Sequence, residues 1–145
     1  MSKLKPYDPR RVNVTLVGVL GSHVVSGYSS ENIITVEPGG DSYNLLRGVD
    51  GEAVRSRNVA SYDITVTLYL LNSSASIDVF SQYQNLDVLD DSGAFSFSLD
   101  ERNSGSSINS LSAYVLSITP GYSASNSVTE VKILVVNATS SYKKL

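Results

Sequence analysis

The most constraining feature of the sequence is a strand pattern between Asp63 and Leu70. Apolar and polar side chains alternate over this stretch, with Ile64, Val66, Leu68 and Leu70 on one side and Asp63, Thr65, Thr67 and Tyr69 on the other. A period of two residues is typical of a β-strand that buries one face. Such a strand needs a second layer to cover its apolar face, so the chain must supply further elements that pack against it.

Alternating or apolar runs recur along the chain and predict about eight strands in mostly antiparallel order. Besides the central strand, the clearest runs are 12–20, 33–37, 42–47, 94–99, 113–118 and 128–136. One stretch, 73–91, has helical spacing instead, with Ile77, Phe80 and Tyr83 on one face. We expect Ser73, Ser74 or Ser76 to cap it, and acids at its end predict that the helix stops near Leu86.

These elements predict a mainly β fold: an antiparallel β-sandwich or barrel with one flanking α-helix, formed by residues 1–145 as a single domain. The chain has 145 residues, of which 41% are hydrophobic and 17% charged, so we expect it to fold in water. The first ten residues, with two prolines, predict an extended lead-in. No secretory signal or membrane span is visible, so we expect synthesis in the cytoplasm and no direct membrane insertion.

The amino-acid composition also excludes several kinds of catalytic and metal site. The chain has no cysteine and one histidine, His23, which excludes thiolate metal sites, cysteine nucleophiles and histidine-built zinc sites. The net charge of −3 gives no broad basic surface for nucleic acid, so any DNA contact must be loose. We expect no catalytic residues, no cofactor and no bound metal.

Several acidic or glycine-containing segments could be interpreted as sites, and each has a simpler explanation. The spacing of Asp50, Glu52 and Asp63 lacks the alternating oxygen ligands of a calcium loop. The acids at 87–91 are typical of a solvated helix end, and Glu37 with Asp41 flanks an ordinary Pro-Gly-Gly turn. The glycines at 18 and 21 lie in a strand and not before a helix, which argues against a phosphate loop.

The segment from Gly48 to Asn58 follows no period and holds few apolar side chains. Fixing its backbone costs on the order of 10 kcal/mol, at roughly 1–2 kcal/mol per residue. Its valines, Val49 and Val54, offset only part of that cost, since a fully buried valine contributes about 1.5–3 kcal/mol. The segment is therefore either a mobile surface loop or an arm that becomes ordered against a partner.

The order of these motifs resembles the tail tube protein of contractile-tailed bacteriophages over roughly residues 7 to 80. The resemblance rests on five segments: Tyr7-Asp8-Pro9, Val12-Asn13-Val14-Thr15, the glycine before Tyr28, Ile34-Thr35-Val36-Glu37 with Asp41, and Gly48-Val49-Asp50-Gly51-Glu52-Ala53-Val54-Arg55-Ser56-Arg57. The last of these, followed by the threonine-alternating strand, is the most specific.

The resemblance implies a structural, non-enzymatic subunit that forms hexameric rings stacked into a hollow tube, in which long strands of each subunit join a shared β-barrel. It implies partners: further copies of the chain, a tail sheath protein, baseplate and tail-terminator proteins, and double-stranded DNA that passes non-specifically through the lumen. The corresponding location is the virion tail, assembled in the bacterial host cytoplasm.

Under this interpretation the segment 48–58 is an arm that reaches a neighbouring subunit and is ordered only in the assembly. Its candidate intersubunit residues are Gly48, Val49, Asp50, Gly51, Glu52, Val54, Arg55 and Arg57. Candidate lumen-facing residues, from the polar faces of the first and central strands, are Asn13, Thr15, Asp63, Thr65 and Thr67. An acidic wall would bind DNA weakly and let it slide.

Two other functions fit the sequence. The first is the tube subunit of a tailocin or a type VI-like injection device, which uses the same assembly without a genome to deliver. The second belongs to another class: a carbohydrate- or surface-binding β-sandwich that works as a monomer.

Overall fold

A computed structural model of the chain describes residues 12–29, 33–123 and 127–144. Within them the strands are β1 (Val12–Gly18), β2 (Gly21–Val24), β3 (Ile34–Pro38), β4 (Tyr43–Arg47), β5 (Ala53–Arg57), β6 (Ile64–Leu71), β7 (Phe95–Glu101), β8 (Ser106–Thr119), β9 (Val128–Val136) and β10 (Thr139–Ser141). The helix α1 spans Ser76–Asp90, and a short 3-10 helix spans Val59–Tyr62. The predicted mainly β class with one α-helix is confirmed.

Eight strands form one antiparallel sheet in the order β2-β1-β7-β8-β9-β6-β3, with β10 paired to β8. The long strand β8 links the two halves of this sheet. Its first part pairs with β7 and β10, and its second part, from Ser112 onward, pairs mainly with β9. The pairing register shifts between Phe95 and Phe97 and again between Val115 and Ser117, so β8 changes direction as it passes from one half to the other.

The sheet folds over a single apolar core. Ile34 and Val36 of β3 line the same cleft as Val12 of β1, although these strands lie near opposite ends of the strand order. Every core strand contributes its inward-facing positions, as the period-two pattern predicts. The completely buried aliphatic side chains include Val14, Leu16, Val66, Leu68, Leu70, Val131, Ile133 and Val135.

Helix α1 packs on this core through Phe80 and Tyr83, which are almost fully buried. The Tyr83 ring lies 4.9 Å from the ring of Phe95 at the start of β7. The prediction that the helix stops near Leu86 was wrong, because it continues to Asp90. Asp91 then adopts a left-handed conformation, and its backbone N–H donates to the Asp87 carbonyl oxygen at 3.0 Å. Water screens the exposed acid at Asp90, which weakens its repulsion by the helix dipole.

The predicted serine cap is displaced by one residue. Ala75 occupies the N-cap position without a side-chain bond, and the Ser74 hydroxyl accepts the Ser76 N–H at 3.2 Å. Ser76 itself is fully buried, and its hydroxyl oxygen accepts the Ser26 N–H at 3.1 Å. The start of α1 is therefore fixed to the chain that follows β2.

Three short strands were not predicted from the sequence. β2 replaces a predicted turn, β10 lies in a polar tail, and β5 lies inside the segment predicted to be aperiodic. All three have little apolar alternation, and their order comes from backbone pairing with β1, β8 and β4. The predicted lead-in over residues 1–10, including Tyr7-Asp8-Pro9, lies outside the described residues.

Tyr83 generates a test of the packing. Its hydroxyl is buried, and within residues 12–29, 33–123 and 127–144 nothing forms a hydrogen bond with it. A buried, unpaired polar group costs about 1–3 kcal/mol. We expect Tyr83→Phe to raise the free energy of unfolding by about 1 kcal/mol, measured by urea denaturation. Tyr122→Phe, at a side chain that is 86% exposed, is the control with no change. A destabilised Tyr83→Phe protein would contradict the described packing.

Candidate assembly surface

A two-stranded hairpin, β4 and β5, projects from the folded sheet. Both strands are exposed along their whole length. Five residues at about 3.3 Å each give an arm of roughly 17 Å. Its turn is closed by the Gly48 N–H, which donates to the Glu52 carbonyl oxygen at 2.7 Å, and by the Gly51 N–H, which donates to the Gly48 carbonyl oxygen at 3.1 Å. Gly51 has a φ of +88°, which favours glycine at this position.

The pairing register divides the hairpin side chains between two faces. Tyr43 lies opposite Arg57 and Leu45 opposite Arg55, so these side chains share one face. Leu46 lies opposite Val54 on the other face. One side of the arm is therefore aromatic and basic, whereas the other side is apolar near the turn.

Tyr43 organises the basic face. The Arg55 guanidinium carbon lies 4.0 Å from the centre of the Tyr43 ring, and that of Arg57 lies at 5.0 Å. The Arg57 guanidinium also donates to the Tyr43 hydroxyl at 2.6 Å and to the Tyr62 hydroxyl. The hydrogen bond to Tyr62 is the largest cause that raises the pKa of Arg57 above its ordinary value. Both arginines are thus held by tyrosines of the same chain.

The base of the hairpin is fixed to the sheet by the turn that follows β5. The Asn58 N–H donates to the Ser42 carbonyl oxygen at 2.9 Å, and the Asn58 side-chain oxygen accepts the Ala60 N–H at 3.2 Å. Gly39 lies so close to this turn that a β-carbon there would approach the Ala60 carbonyl oxygen to 2.4 Å. The arm therefore leaves the sheet in a defined direction while its tip remains in solvent.

These contacts correct the interpretation of 48–58 as a segment without internal order. It forms a turn and a strand, and its partner strand, 43–47, begins before the predicted arm. The sequence analysis did not identify Tyr43 and Tyr62, which with Arg55 and Arg57 form the tyrosine-arginine cluster of the arm. Asp50-Gly51 between two short runs is a recognised hairpin pattern and was the signal that could have found them.

Four apolar side chains of the arm are largely exposed to solvent. Exposure is 57% for Leu45, 64% for Leu46 and 60% for Val54, and Val49 at the turn is completely exposed. Contiguous exposed apolar side chains with a polar rim are typical of protein interaction sites. The geometry of the arm is therefore suited to binding another protein surface.

The candidate lumen residues lie on two separate parts of the sheet. Asn13 and Thr15 are on the outward face of β1, where they pair with Asp100 and Ser98 of β7. Thr65 and Thr67 are on the outward face of β6, which is separated from β1 by three strands in the sheet order. Since the sheet folds over its core, the structure does not bring the two groups together.

Two of the candidate lumen residues, Thr67 and Asp63, are less available to face a channel than the sequence implied. Thr67 is only 8% exposed, between β3 and β9. Asp63 precedes β6, and its carboxylate accepts the Asn137 N–H at 3.1 Å. Asp63 therefore already has a role in joining the start of β6 to the end of β9.

The fold was compared with solved structures. The tube-terminating cap of the anti-feeding prophage matches with a TM-score of 0.64 at 14% identity, covering 97% of this chain and 94% of that chain. A second match is a chain of the sheath-tube complex, in the extended state, of PVC, an extracellular contractile injection system. It has a TM-score of 0.62 at 16% identity and covers 94% of this chain and 91% of that chain. The PVC sheath/tube terminator matches with a TM-score of 0.60 at 16% identity, covering 97% and 100%.

The fold is therefore similar to that of a tube-terminating cap, a chain of a sheath-tube complex and a sheath/tube terminator from contractile injection particles. The family resemblance read from the sequence is thereby confirmed at the level of fold. No protein-family model matches the chain, and no curated protein sequence matches it.

Other parts of the described chain offer little chemistry. His23 lies with its Nε2 atom 2.8 Å from the buried Ser76 hydroxyl, at the start of α1. The described residues contain no group of three or more acids or histidines arranged to hold a metal ion. No helix in that part of the chain is long and apolar enough to cross a membrane.

The tyrosine-arginine cluster predicts how the arm responds to mutation. Tyr43→Ala removes the ring that holds Arg55 and Arg57, so the hairpin opens more often. We expect trypsin to cleave after Arg47 roughly three to ten times faster than in the unchanged protein. Tyr142→Ala, at an exposed tyrosine outside the arm, is the control. Equal cleavage rates in the Tyr43→Ala and unchanged proteins would contradict the role of the cluster.

Proposed function

We propose that this chain is a structural tube subunit of a contractile injection particle, which polymerises through its sheet edges and the β4–β5 hairpin. The observation that carries the proposal is the match, over nearly the whole chain, to tube and terminator components of such particles. Those matched proteins are structural components and not enzymes, and the proposed role is likewise without catalysis.

The unpaired margins of the sheet support this role. β2 and β3 end the strand order, so each leaves one edge without a strand partner within the described residues. Exposed edges favour pairing with another chain, and copies arranged in a closed ring remove them. Hexameric rings that stack into a hollow tube are the assembly that we propose, with the strands shared in a common barrel.

The arm supplies the second contact. Val49 and Val54 carry apolar surface, and Glu52 with Arg55 and Arg57 provides charge for contacts with a neighbouring subunit. Gly48, Asp50 and Gly51 shape the turn that presents these side chains. Because Arg55 and Arg57 already contact tyrosines, their role is to stiffen the arm as well as to pair with a neighbour.

The channel wall has two candidate surfaces. One is the outward face of β1 with Asn13 and Thr15, and the other is the outward face of β6 with Thr65 and Thr67 near Asp63. A single channel can take only one of them, because the folded sheet turns them in different directions.

The particle that we favour is a phage-derived injection device, since the matched structures come from an anti-feeding prophage and an extracellular contractile injection system. A phage tail tube that conducts double-stranded DNA is the alternative from the same class. In either particle the expected partners are a sheath protein, a baseplate and a terminator, and assembly takes place in the bacterial cytoplasm.

A tube terminator or cap is the second candidate function, supported by the two matches to such proteins. The two roles differ in how far the copies assemble. A tube subunit stacks into many rings, whereas a terminator forms a ring that ends the stack.

Sedimentation and negative-stain microscopy of the purified protein test the proposal. We expect hollow tubes from a tube subunit and isolated rings from a terminator. A monomer of 15.6 kDa at high concentration would contradict both and support a monomeric carbohydrate- or surface-binding sandwich.

The arm provides a matched mutational test. Leu46→Asp with Val54→Asp places two charges on its exposed apolar face, where the fold itself does not depend on them. We expect circular dichroism to stay unchanged and tubes to disappear, because burying an unpaired charge in an interface is strongly unfavourable. Tyr122→Asp, on an exposed loop, is the control. Normal tubes from the double variant would remove the arm from the assembly.

A further inference from the structure

The last turn of α1 carries a second exposed apolar surface. Val88 is 82% exposed and Leu89 is 81% exposed, although the same helix buries Phe80 and Tyr83. These two side chains have no role in the core of the described fold. We call this surface, made of Asp87, Val88, Leu89, Asp90 and Asp91, the acidic end of α1.

The charges around Val88 and Leu89 contribute no stability to the helix itself, although water screens their repulsion by its dipole. Three aspartates lie at its C-terminal end, where the helix dipole is already negative, and the last turn has no basic residue. A local rule broken without an internal compensation is typical of a functional surface. A cation brought by a partner would supply the missing compensation.

The tip of the hairpin has the complementary character. It presents Leu45 and Val49 together with the side chain of Arg47, which lies on the same face of the hairpin as Leu45. The Arg47 side chain is exposed and forms no hydrogen bond or ion pair with any described residue. The hairpin from 43 to 57 has three arginines against Asp50 and Glu52, so it is net positive in a chain of charge −3.

We infer that the hairpin tip of one copy docks on the acidic end of α1 of another copy, an inference that rests on the proposed function. Leu45 and Val49 pack on Val88 and Leu89, and Arg47, on the same face as Leu45, pairs with the aspartates around them. The two surfaces differ, so the contact is heterologous and can repeat from copy to copy. Charge complementarity also sets the register of the contact.

The cleft between β3 and β7 is the competing acceptor for the tip. Its volume is about 410 Å³, and its lining includes Ile34, Leu99, Glu101 and Tyr142. The Glu101 carboxylate already accepts the backbone N–H groups of Asn103 and Ser104, at 2.8 and 2.9 Å. The hydrogen bond from the Ser104 hydroxyl is the main cause that lowers the pKa of Glu101. Glu101 therefore accepts three hydrogen bonds, whereas at the end of α1 Asp90 accepts one, from the Ser92 hydroxyl, so the acids of α1 are more available to Arg47.

The absence of cysteine from the sequence permits a direct test by disulfide cross-linking. The variant Val49→Cys with Leu89→Cys places a thiol on each proposed surface. The variant Val49→Cys with Tyr142→Cys reports on the cleft, and Val49→Cys with Leu111→Cys is the control at an equally exposed site. Each protein is assembled, oxidised and run on a non-reducing gel.

We expect the 49–89 pair to give a ladder of covalent oligomers at a yield at least tenfold above the 49–111 control. A ladder from the 49–142 pair alone, or equal yields from all three pairs, would overturn the contact. A protein that never assembles refutes the proposed function and this contact together. Normal tubes without a 49–89 cross-link refute only the contact.

A charge exchange adds a second measurement. Arg47→Glu should prevent assembly by placing like charges in contact, and Arg47→Glu combined with Asp90→Arg should restore it. Restoration requires that the two residues face each other, whereas simple loss of folding would not be repaired by a second change. Failure of the combined variant to assemble, while each single variant remains folded, would place Arg47 against another surface.

Discussion

The described fold depends on one constraint: each long strand has a single apolar face, and all these faces must be covered by one core. The sheet meets this constraint by folding over, with β8 serving both halves and α1 closing the side. Phe80 and Tyr83 complete the apolar layer, and Tyr83 meets Phe95 at 4.9 Å. Outward faces and sheet edges are not stabilised by burial in this core, so they remain free to contact other molecules.

The hairpin follows from the same constraint. It lies beyond the end of the core, so its strands cannot be stabilised by burial within one chain. Backbone pairing and the contacts of Tyr43 with Arg55 and Arg57 hold its shape instead. Such contacts are weak at exposed sites, which leaves the arm ordered enough to be presented and free enough to adapt. Its apolar side chains are exposed to water in the single chain, and in the proposed assembly a neighbouring copy covers them.

The sequence predicted the elements that burial dictates. Strands with period-two alternation, such as β6 and β9, and the helix with Phe80 and Tyr83 were found because side-chain pattern and burial agree. The hairpin, β2 and β10 were missed or misread, since their order depends on backbone pairing and on distant partners such as Tyr62. The helix end was misplaced because exposed acids count for less in water than the dipole rule suggests. Whether Thr15 or Thr65 faces the proposed channel depends on how copies of the chain would pack together, which one sequence does not specify.

The central claim is that one chain leaves the apolar side chains of its hairpin uncovered and that a second copy covers them. Hydrogen exchange of the amides in β4 and β5, measured by mass spectrometry for the monomer and for the assembled protein, tests this claim most directly. The account predicts that these amides exchange rapidly in the monomer and become strongly protected on assembly, while those of β6 are protected in both. Equal protection of the hairpin in the two states would contradict it.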